Sequence, residues 1–149
     1  MTNLEWKLAR FDELNTEVLY RILQARAEVF VVEQQCNYLD PDGIDMQSMH
    51  LTGWSDSELV AYARIIPPGI VYKEASIGRV LVKKEYRGKE TGKLLMQKAM
   101  EACKLFGDSS VHISAQYYLL DFYSNLGFTA IGEQYLEDDI PHIGMIYSA

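Results

Sequence analysis

The order in which strand-like and helix-like segments follow one another is the feature that most constrains the fold of this chain. Runs of alternating apolar and polar residues predict strands, whereas apolar residues spaced three and four apart predict helices. The order is strand, helix, three strands, helix, strand, helix and two strands. Mixed ordering of this kind favours an α/β or α+β fold, with a mixed central sheet flanked by helices, over a doubly wound parallel sheet.

Seven segments are predicted to be strands. The polar turn Ser55–Glu58 joins the second and third into a hairpin, and Pro67-Pro68 ends the third because proline cannot donate to a ladder. The last two can close the chain as an antiparallel pair. The predicted strands are Leu4–Ala9, His50–Trp54, Leu59–Ile66, Ala75–Val82, Val111–Ala115, Ala130–Tyr135 and His142–Tyr147.

Three segments are predicted to be helices. The first has helical apolar spacing between Leu14 and Phe30 and Asn15 as its cap. The second presents one apolar face and ends at Gly107, and the third covers Leu119–Leu126. Between the first helix and the second strand, Cys36–Ser48 is rich in turn-forming residues and predicts an irregular loop. No repeat or linker divides the chain, so residues 1–149 are expected to form one domain.

Composition excludes several classes of function. The net charge of −7, from 21 acidic and 14 basic residues, is the wrong sign for a protein that binds nucleic-acid phosphates. No run of 18 apolar residues occurs, so no membrane span is expected. The N-terminal residues do not resemble a secretory leader, and the two cysteines are too few for a disulfide framework. We therefore expect a cytoplasmic protein.

A basic, glycine-containing loop lies between the fourth strand and the second helix. Backbone N–H groups at a helix start lack intrahelical partners and can donate to phosphate oxygens. The two glycines allow close approach of the backbone, and the cations add charge. The predicted phosphate-binding residues are Arg87, Gly88, Lys89, Thr91, Gly92 and Lys93.

Two kinds of phosphate loop can be compared with this spacing. The nucleoside-triphosphate P-loop is excluded, because Gly88 to Gly92 is one residue too short and Leu94 replaces the hydroxyl that binds magnesium. The segment resembles instead the pyrophosphate loop of the GCN5-related N-acetyltransferase (GNAT) superfamily, [QR]-x-x-G-x-[GA]. Arg87 takes its first place and Gly92 its last, while Glu90 stands where the middle glycine is expected. A glutamate at a helix start can point to solvent, where the macrodipole also favours its charge.

Other segments strengthen the resemblance. Leu119–Phe128 is similar to the superfamily's late helix, which commonly ends in F-Y-x-x-x-G-F. Two further segments, Arg26–Gln34 and Glu137–Met145, resemble a bacterial ElaA-like branch. The resemblance follows the element order of essentially the whole chain and is sharpest from Ile77 to Phe128.

The resemblance implies a co-substrate and a site. Acetyl-CoA would lie where two central parallel strands splay apart, its pantetheine arm pairing with backbone around Val80 and Val82. An amine would attack the thioester directly, and Tyr123 would supply the proton for the departing thiolate. A phenol is a reasonable donor for that step.

Three residues are candidates for the base that deprotonates the amine. Glu33 lies at the end of the first helix, near where such proteins usually form the acceptor site. His142 follows a turn-like segment at the start of the last strand, and imidazole suits base chemistry near neutrality. His50 is the third candidate. A water relay could replace all three.

Metal binding is not expected. Asp40–Asp45 has a calcium-loop look, but its glycine is not at the sixth position and Leu51 replaces the twelfth-position glutamate. A flexible loop near the acceptor site is the expectation for this segment. The cysteines and histidines show no close zinc spacing.

The sequence thus predicts an enzyme that moves an acetyl group from acetyl-CoA to a primary amine of a small molecule or protein. A non-catalytic acyl-CoA binding or sensing module of the same fold is the alternative. A protein-interaction domain without a nucleotide ligand would require the phosphate loop to be accidental. Neither nucleic acid nor membrane is an expected partner, and a homodimer is compatible with the sequence.

Overall fold

The computed structural model describes residues 3–107 and 110–148. Within these ranges the elements follow the predicted order, so the predicted strands and helices are confirmed apart from small shifts at their ends. The strands are β1 (Glu5–Arg10), β2 (Met49–Ser55), β3 (Glu58–Ile66), β4 (Ala75–Val82), β5 (Val111–Gln116), β6 (Thr129–Glu137) and β7 (Ile140–Tyr147). The helices are α1 (Thr16–Arg26), α2 (Thr91–Cys103) and α3 (Leu120–Asn125).

The seven strands form one mixed sheet in the order β1-β2-β3-β4-β5-β7-β6. Among these strands of the described ranges, β4 and β5 pair in parallel and the other neighbours pair antiparallel. The predicted fold class, a mixed sheet flanked by helices, is therefore confirmed. Within residues 3–107 and 110–148, no helix is both long and apolar enough to span a membrane.

Helices cover the two faces of the sheet. On one face, α2 and α3 bury Leu95, Ala99 and Tyr123 against apolar side chains of β3, β4, β5 and β7. On the other face, α1 buries Ile22 and Ala25 against Tyr62 and Leu81. Since successive strand residues point to opposite faces, one sheet supports both cores.

The first helix begins and extends for identifiable reasons. The Asn15 side chain accepts a hydrogen bond from the Val18 N–H at 2.8 Å, which confirms the predicted cap. After α1 the chain continues as a π-helix over Ala27–Glu33. π-Helical turns are rare and frequently occur at functional sites. This extension carries Glu33 to the central strands.

The parallel pair at the centre of the sheet is short. The pairing joins only Ala75 to Val111 and Ser76 to His112, after which β4 and β5 diverge. The rest of β4 therefore presents an edge that no strand of the described chain pairs on the β5 side.

Candidate functional site

A cleft of about 580 Å³ opens where β4 and β5 diverge. Its walls come from both strands, from α3, from the π-helix and from the β6–β7 hairpin. Seven residues predicted from sequence line it, namely Glu33, Val80, Val82, Arg87, Gly92, Tyr123 and His142. The fold therefore gathers into one cleft residues that lie up to 109 positions apart in the chain.

A bulge shapes the β4 wall of the cleft. Tyr62 pairs with Leu81 and Arg64 with Gly78, so β4 contains one residue more than β3 over this stretch. Arg79 has a φ of +52°, a left-handed conformation that is uncommon for residues other than glycine. The bulge interrupts the ladder beside the predicted pantetheine-binding residue Val80.

The predicted phosphate loop follows β4 and opens α2. Glu90 takes the N-cap position with φ +60°, and its side chain is exposed. A left-handed backbone is what the motif glycine would accommodate without strain, so the structure explains why glycine is expected there. The outward side chain agrees with the sequence interpretation.

Arg87 is already paired within the protein. Its guanidinium lies 2.6 Å from the Glu33 carboxylate, and its Nε donates to the Val82 carbonyl oxygen at 2.8 Å. These contacts hold Arg87 at the cleft wall. They also give Glu33 an ion-pair partner, so Glu33 would have to leave that pair to act as a base.

The remaining loop residues do not line the cleft. Gly88 and Lys89 are exposed, and Thr91 is partly buried at the start of α2. Lys93 borders a separate depression between α2 and α3, with Asn125 and Tyr147. Their part in phosphate binding stays a prediction.

Tyr123 contributes a buried ring to the cleft. The ring meets Phe122 and Phe128 edge-on, with centroids 5.1 and 6.0 Å away. Burial, and to a lesser extent the nearby Tyr118, raises the pKa of Tyr123 to about 12. The phenol therefore keeps its proton near neutral pH, as a hydrogen-bond donor must.

The two candidate histidines differ in their surroundings. His50 is buried outside the cleft, and both ring nitrogens have partners: the Tyr62 hydroxyl at 2.6 Å and the Asp45 carbonyl oxygen at 2.9 Å. Burial lowers the pKa of His50. His50 is therefore not placed to take a proton from an amine in the cleft. His142 lines the cleft, and its Nδ1 donates to the Ile140 carbonyl oxygen at 2.7 Å, whereas Nε2 has no hydrogen-bond partner among residues 3–107 and 110–148.

A buried charge network behind the cleft was not predicted from sequence. Asp45 accepts from Arg26 at 2.7 Å and from Arg64 at 2.9 Å. Asp40 binds Arg26 at 2.7 Å and Arg79 at 2.8 Å, and Asp42 binds Arg64 at 2.8 Å. Three carboxylates thus balance three guanidinium groups.

The network changes the interpretation of Asp40–Asp45. The acidic side chains that gave this segment its calcium-loop look bind arginines, and they pin the expected flexible loop to β3 and β4. Among the described residues, no group of three or more histidine, cysteine, aspartate or glutamate side chains could hold a metal ion. In the sequence, the clustered aspartates indicated that this segment binds cationic groups, but no neighbouring residue identified arginines of other elements as the partners.

A second missed group lies at the β6–β7 end of the cleft. Ser114 of β5 hydrogen-bonds the Tyr135 hydroxyl and donates to Glu137 at 3.3 Å. Glu137 and Asp138 line the cleft beside His142. The Cys36 thiol donates to the Asp138 carbonyl oxygen at 3.1 Å and so joins the chain after the π-helix to the hairpin.

Comparisons with known proteins identify the family. The model of the acetyltransferase (GNAT) domain matches residues 24–149. Protein ElaA of Escherichia coli K12 is 44% identical over 145 residues, covering 95% of each chain. A UPF0039 protein of Synechocystis is 42% identical over 146 residues, covering 97% of this chain and 95% of that one.

Solved structures agree with this assignment. An acyl-CoA N-acyltransferase from Pseudomonas aeruginosa is 42% identical with a TM-score of 0.93, covering 98% of this chain and all of that one. An aminoglycoside 6′-N-acetyltransferase complexed with coenzyme A, 16% identical over 94% of this chain and 95% of its own, shares the fold with a TM-score of 0.69. The chain belongs to the GNAT acetyltransferase family, with ElaA among its similar relatives.

Proposed function

We propose that this protein transfers an acetyl group from acetyl-CoA to a primary amine by direct attack. The observation that carries the proposal is the parting of β4 and β5 after two residue pairs, directly beside a basic loop at a helix start. The unpaired edge of β4 offers backbone groups to the pantetheine amides. Arg87 stands where it can meet the pyrophosphate.

The chemistry follows from the residues in the cleft. The amine must be neutral to attack, so it first gives a proton to a base, for which His142 is the better placed candidate because Glu33 is ion-paired. The nitrogen then bonds to the thioester carbonyl carbon and the carbon–sulfur bond breaks. Tyr123 donates a hydrogen bond to the departing sulfur, which takes up a proton released by the attacking nitrogen.

We place this activity in the cytoplasm. Both cysteines are free, Cys103 buried and Cys36 partly exposed. Free cysteines suit a reducing compartment.

Two measurements test the proposal. Acetyl-CoA at millimolar concentration should raise the melting temperature, because a ligand that binds only the folded state stabilises it by mass action. Release of free thiol from acetyl-CoA is then followed across a panel of primary amines. An unchanged melting temperature would contradict acetyl-CoA binding, and stabilisation without thiol release for any amine would favour the non-catalytic binding module.

A further inference from the structure

Glu137 and His142 face each other across the β6–β7 turn. Glu137 ends β6 and His142 lies near the start of β7, where it is the register partner of Tyr135. His142 is only 6% exposed, and its ring stacks on the Tyr135 ring, with centroids 6.2 Å apart and planes 23° apart. The hairpin therefore holds the imidazole in one orientation.

The proton positions on His142 follow from its partner. Nδ1 lies 2.7 Å from the Ile140 carbonyl oxygen, which can only accept, so Nδ1 carries the hydrogen. In the neutral imidazole, Nε2 then has a free lone pair. The Nε2 atom lies 3.5 Å from Oε2 of Glu137. The other carboxylate oxygen of Glu137 accepts a hydrogen bond from Ser114.

Two hydrogen-bond acceptors thus face one another without a donor from the described part of the chain. His142 is buried whereas the Glu137 side chain is 49% exposed, so a ligand that carries N–H groups can reach the carboxylate from the open cleft and also supply the buried Nε2 with a donor. An ammonium group has three donors and a positive charge, and can reach both Nε2 and Oε2. This is the group that an amine acceptor presents at neutral pH.

The charges around this end of the cleft favour a cation. The arginines that line the cleft are already paired: Arg64 with Asp42, Arg79 with Asp40, and Arg87 with Glu33. Within residues 3–107 and 110–148, no lysine or arginine pairs with Glu137 or Asp138. A carboxylate beside the acceptor amine would meet like charges here and would be repelled.

We propose that Glu137 and His142 form the acceptor site, and that it takes an alkylammonium group without a neighbouring carboxylate, as in a diamine or a lysine side chain. Glu137 binds the ammonium, and Nε2 of His142 removes one proton, which passes to solvent. The nitrogen loses a second proton after it bonds to the carbonyl carbon, and a proton is taken up by the departing sulfur. One amide, one thiol and one free proton result. This proposal rests on the acetyl transfer proposed above.

Three amines with the same four-carbon chain test the substrate class. We expect kcat/KM to fall from 1,4-diaminobutane to n-butylamine to 4-aminobutyrate, with at least a tenfold difference between the first and the last. Glu137→Gln keeps the size of the side chain but removes its charge. It should lower kcat/KM for 1,4-diaminobutane at least tenfold and leave KM for acetyl-CoA unchanged. Glu133→Gln, an exposed residue of the same strand that does not line the cleft, is the matched control.

Three kinetic outcomes would overturn the acceptor site. They are equal use of 4-aminobutyrate and 1,4-diaminobutane, wild-type kinetics of Glu137→Gln, and thiol release with other amines but with none of these three. Each leaves the transferase proposal intact.

Imidazole NMR tests the site independently of turnover. In ¹⁵N-histidine-labelled protein at neutral pH, with the His142→Gln spectrum for assignment, His142 should carry hydrogen on Nδ1 only. Adding 1,4-diaminobutane should shift its Nε2 resonance in wild type and not in Glu137→Gln. Protonation of both nitrogens, or no shift in wild type, would overturn the acceptor site even if acetyl-CoA binds. Failure of acetyl-CoA to bind would instead overturn the transferase proposal.

Discussion

Replacing Tyr123 with phenylalanine removes the hydroxyl proposed to assist the departing thiolate and leaves the ring in place. The edge-on contacts with Phe122 and Phe128 involve only the ring. No hydrogen-bond partner of this hydroxyl occurs within residues 3–107 and 110–148. Tyr123→Phe should therefore fold normally, with a melting temperature close to that of the wild type.

The expected loss of turnover can be worked from the acidity of Tyr123. Burial raises its pKa to about 12, whereas an ordinary thiol has a pKa of about 8.5. Complete proton transfer from this phenol to a thiolate would be uphill by about 5 kcal/mol. Tyr123 should thus act as a hydrogen-bond donor to the developing charge, while the proton itself derives from the attacking nitrogen.

A hydrogen bond to a charged group contributes about 1.5–3 kcal/mol, which corresponds to roughly 10- to 150-fold in rate. We expect kcat for Tyr123→Phe to fall within that range while the affinity for acetyl-CoA changes little. The assay is steady-state thiol release with an accepted amine, accompanied by titration of acetyl-CoA binding. Full activity would refute the reasoning and leave Tyr123 as a structural residue. A raised KM for acetyl-CoA with unchanged kcat would assign it to positioning.

Other predictions follow from the charge pairs. Arg87→Ala should weaken CoA binding roughly tenfold or more, because charge-assisted phosphate contacts are lost, but should leave pantetheine binding unchanged. Arg21→Ala is the control, because the Arg21 side chain is as exposed as that of Arg87 and also binds one carboxylate and one carbonyl oxygen. Glu33→Gln should increase the affinity for CoA about 1.5- to 5-fold in a binding titration, because a surface ion pair of about 0.2–1 kcal/mol no longer competes for Arg87. A kcat loss above 100-fold with unchanged CoA affinity would instead make Glu33 the base. Asp45→Asn removes a carboxylate shared by two buried arginines and should lower the free energy of unfolding by about 3 kcal/mol, which corresponds to a melting temperature roughly 6–12 °C lower. A melting temperature within 2 °C of the wild type, a loss on the order of 1 kcal/mol or less, would contradict this prediction. Burial raises the pKa of Asp42, but hydrogen bonds from Arg64 outweigh burial and lower this pKa to about 2. The contribution of Asp42 to stability is therefore complete above about pH 4 and is lost as the pH falls towards 2. Acid unfolding, monitored by circular dichroism, should start in that interval.

The element order and most element boundaries could be predicted from the sequence. Alternation and helical spacing are properties of neighbouring residues, so β4, the cap Asn15 and the stop at Gly107 could be identified without knowledge of the fold. The predicted phosphate loop could be proposed for the same reason, since the strand, the turn and the helix start that form it are contiguous in the chain.

Only the tertiary structure decided which charged groups meet. Arg87 and Glu33 are 54 positions apart, and their pairing depends on the π-helix that extends α1 over the central strands. The pairing of Asp45 with Arg26 and Arg64 likewise depends on the path of a loop with no periodic pattern. Charged residues look alike in sequence whether they are solvated or buried in ion pairs, because the partner that permits burial lies on another element.

The proposed acceptor end of the cleft shows this division within a single hairpin. The turn and the presence of His142 near the last strand could be identified from the sequence. The free nitrogen of His142, and the carboxylate that faces it, depend on the Ile140 carbonyl and on the side chain with which β6 ends. The sequence thus determined where the predicted site segments lie. The packing of the hairpin against β5 determined which atoms of the proposed acceptor site can meet a ligand, because the groups around a lone pair decide whether it is available.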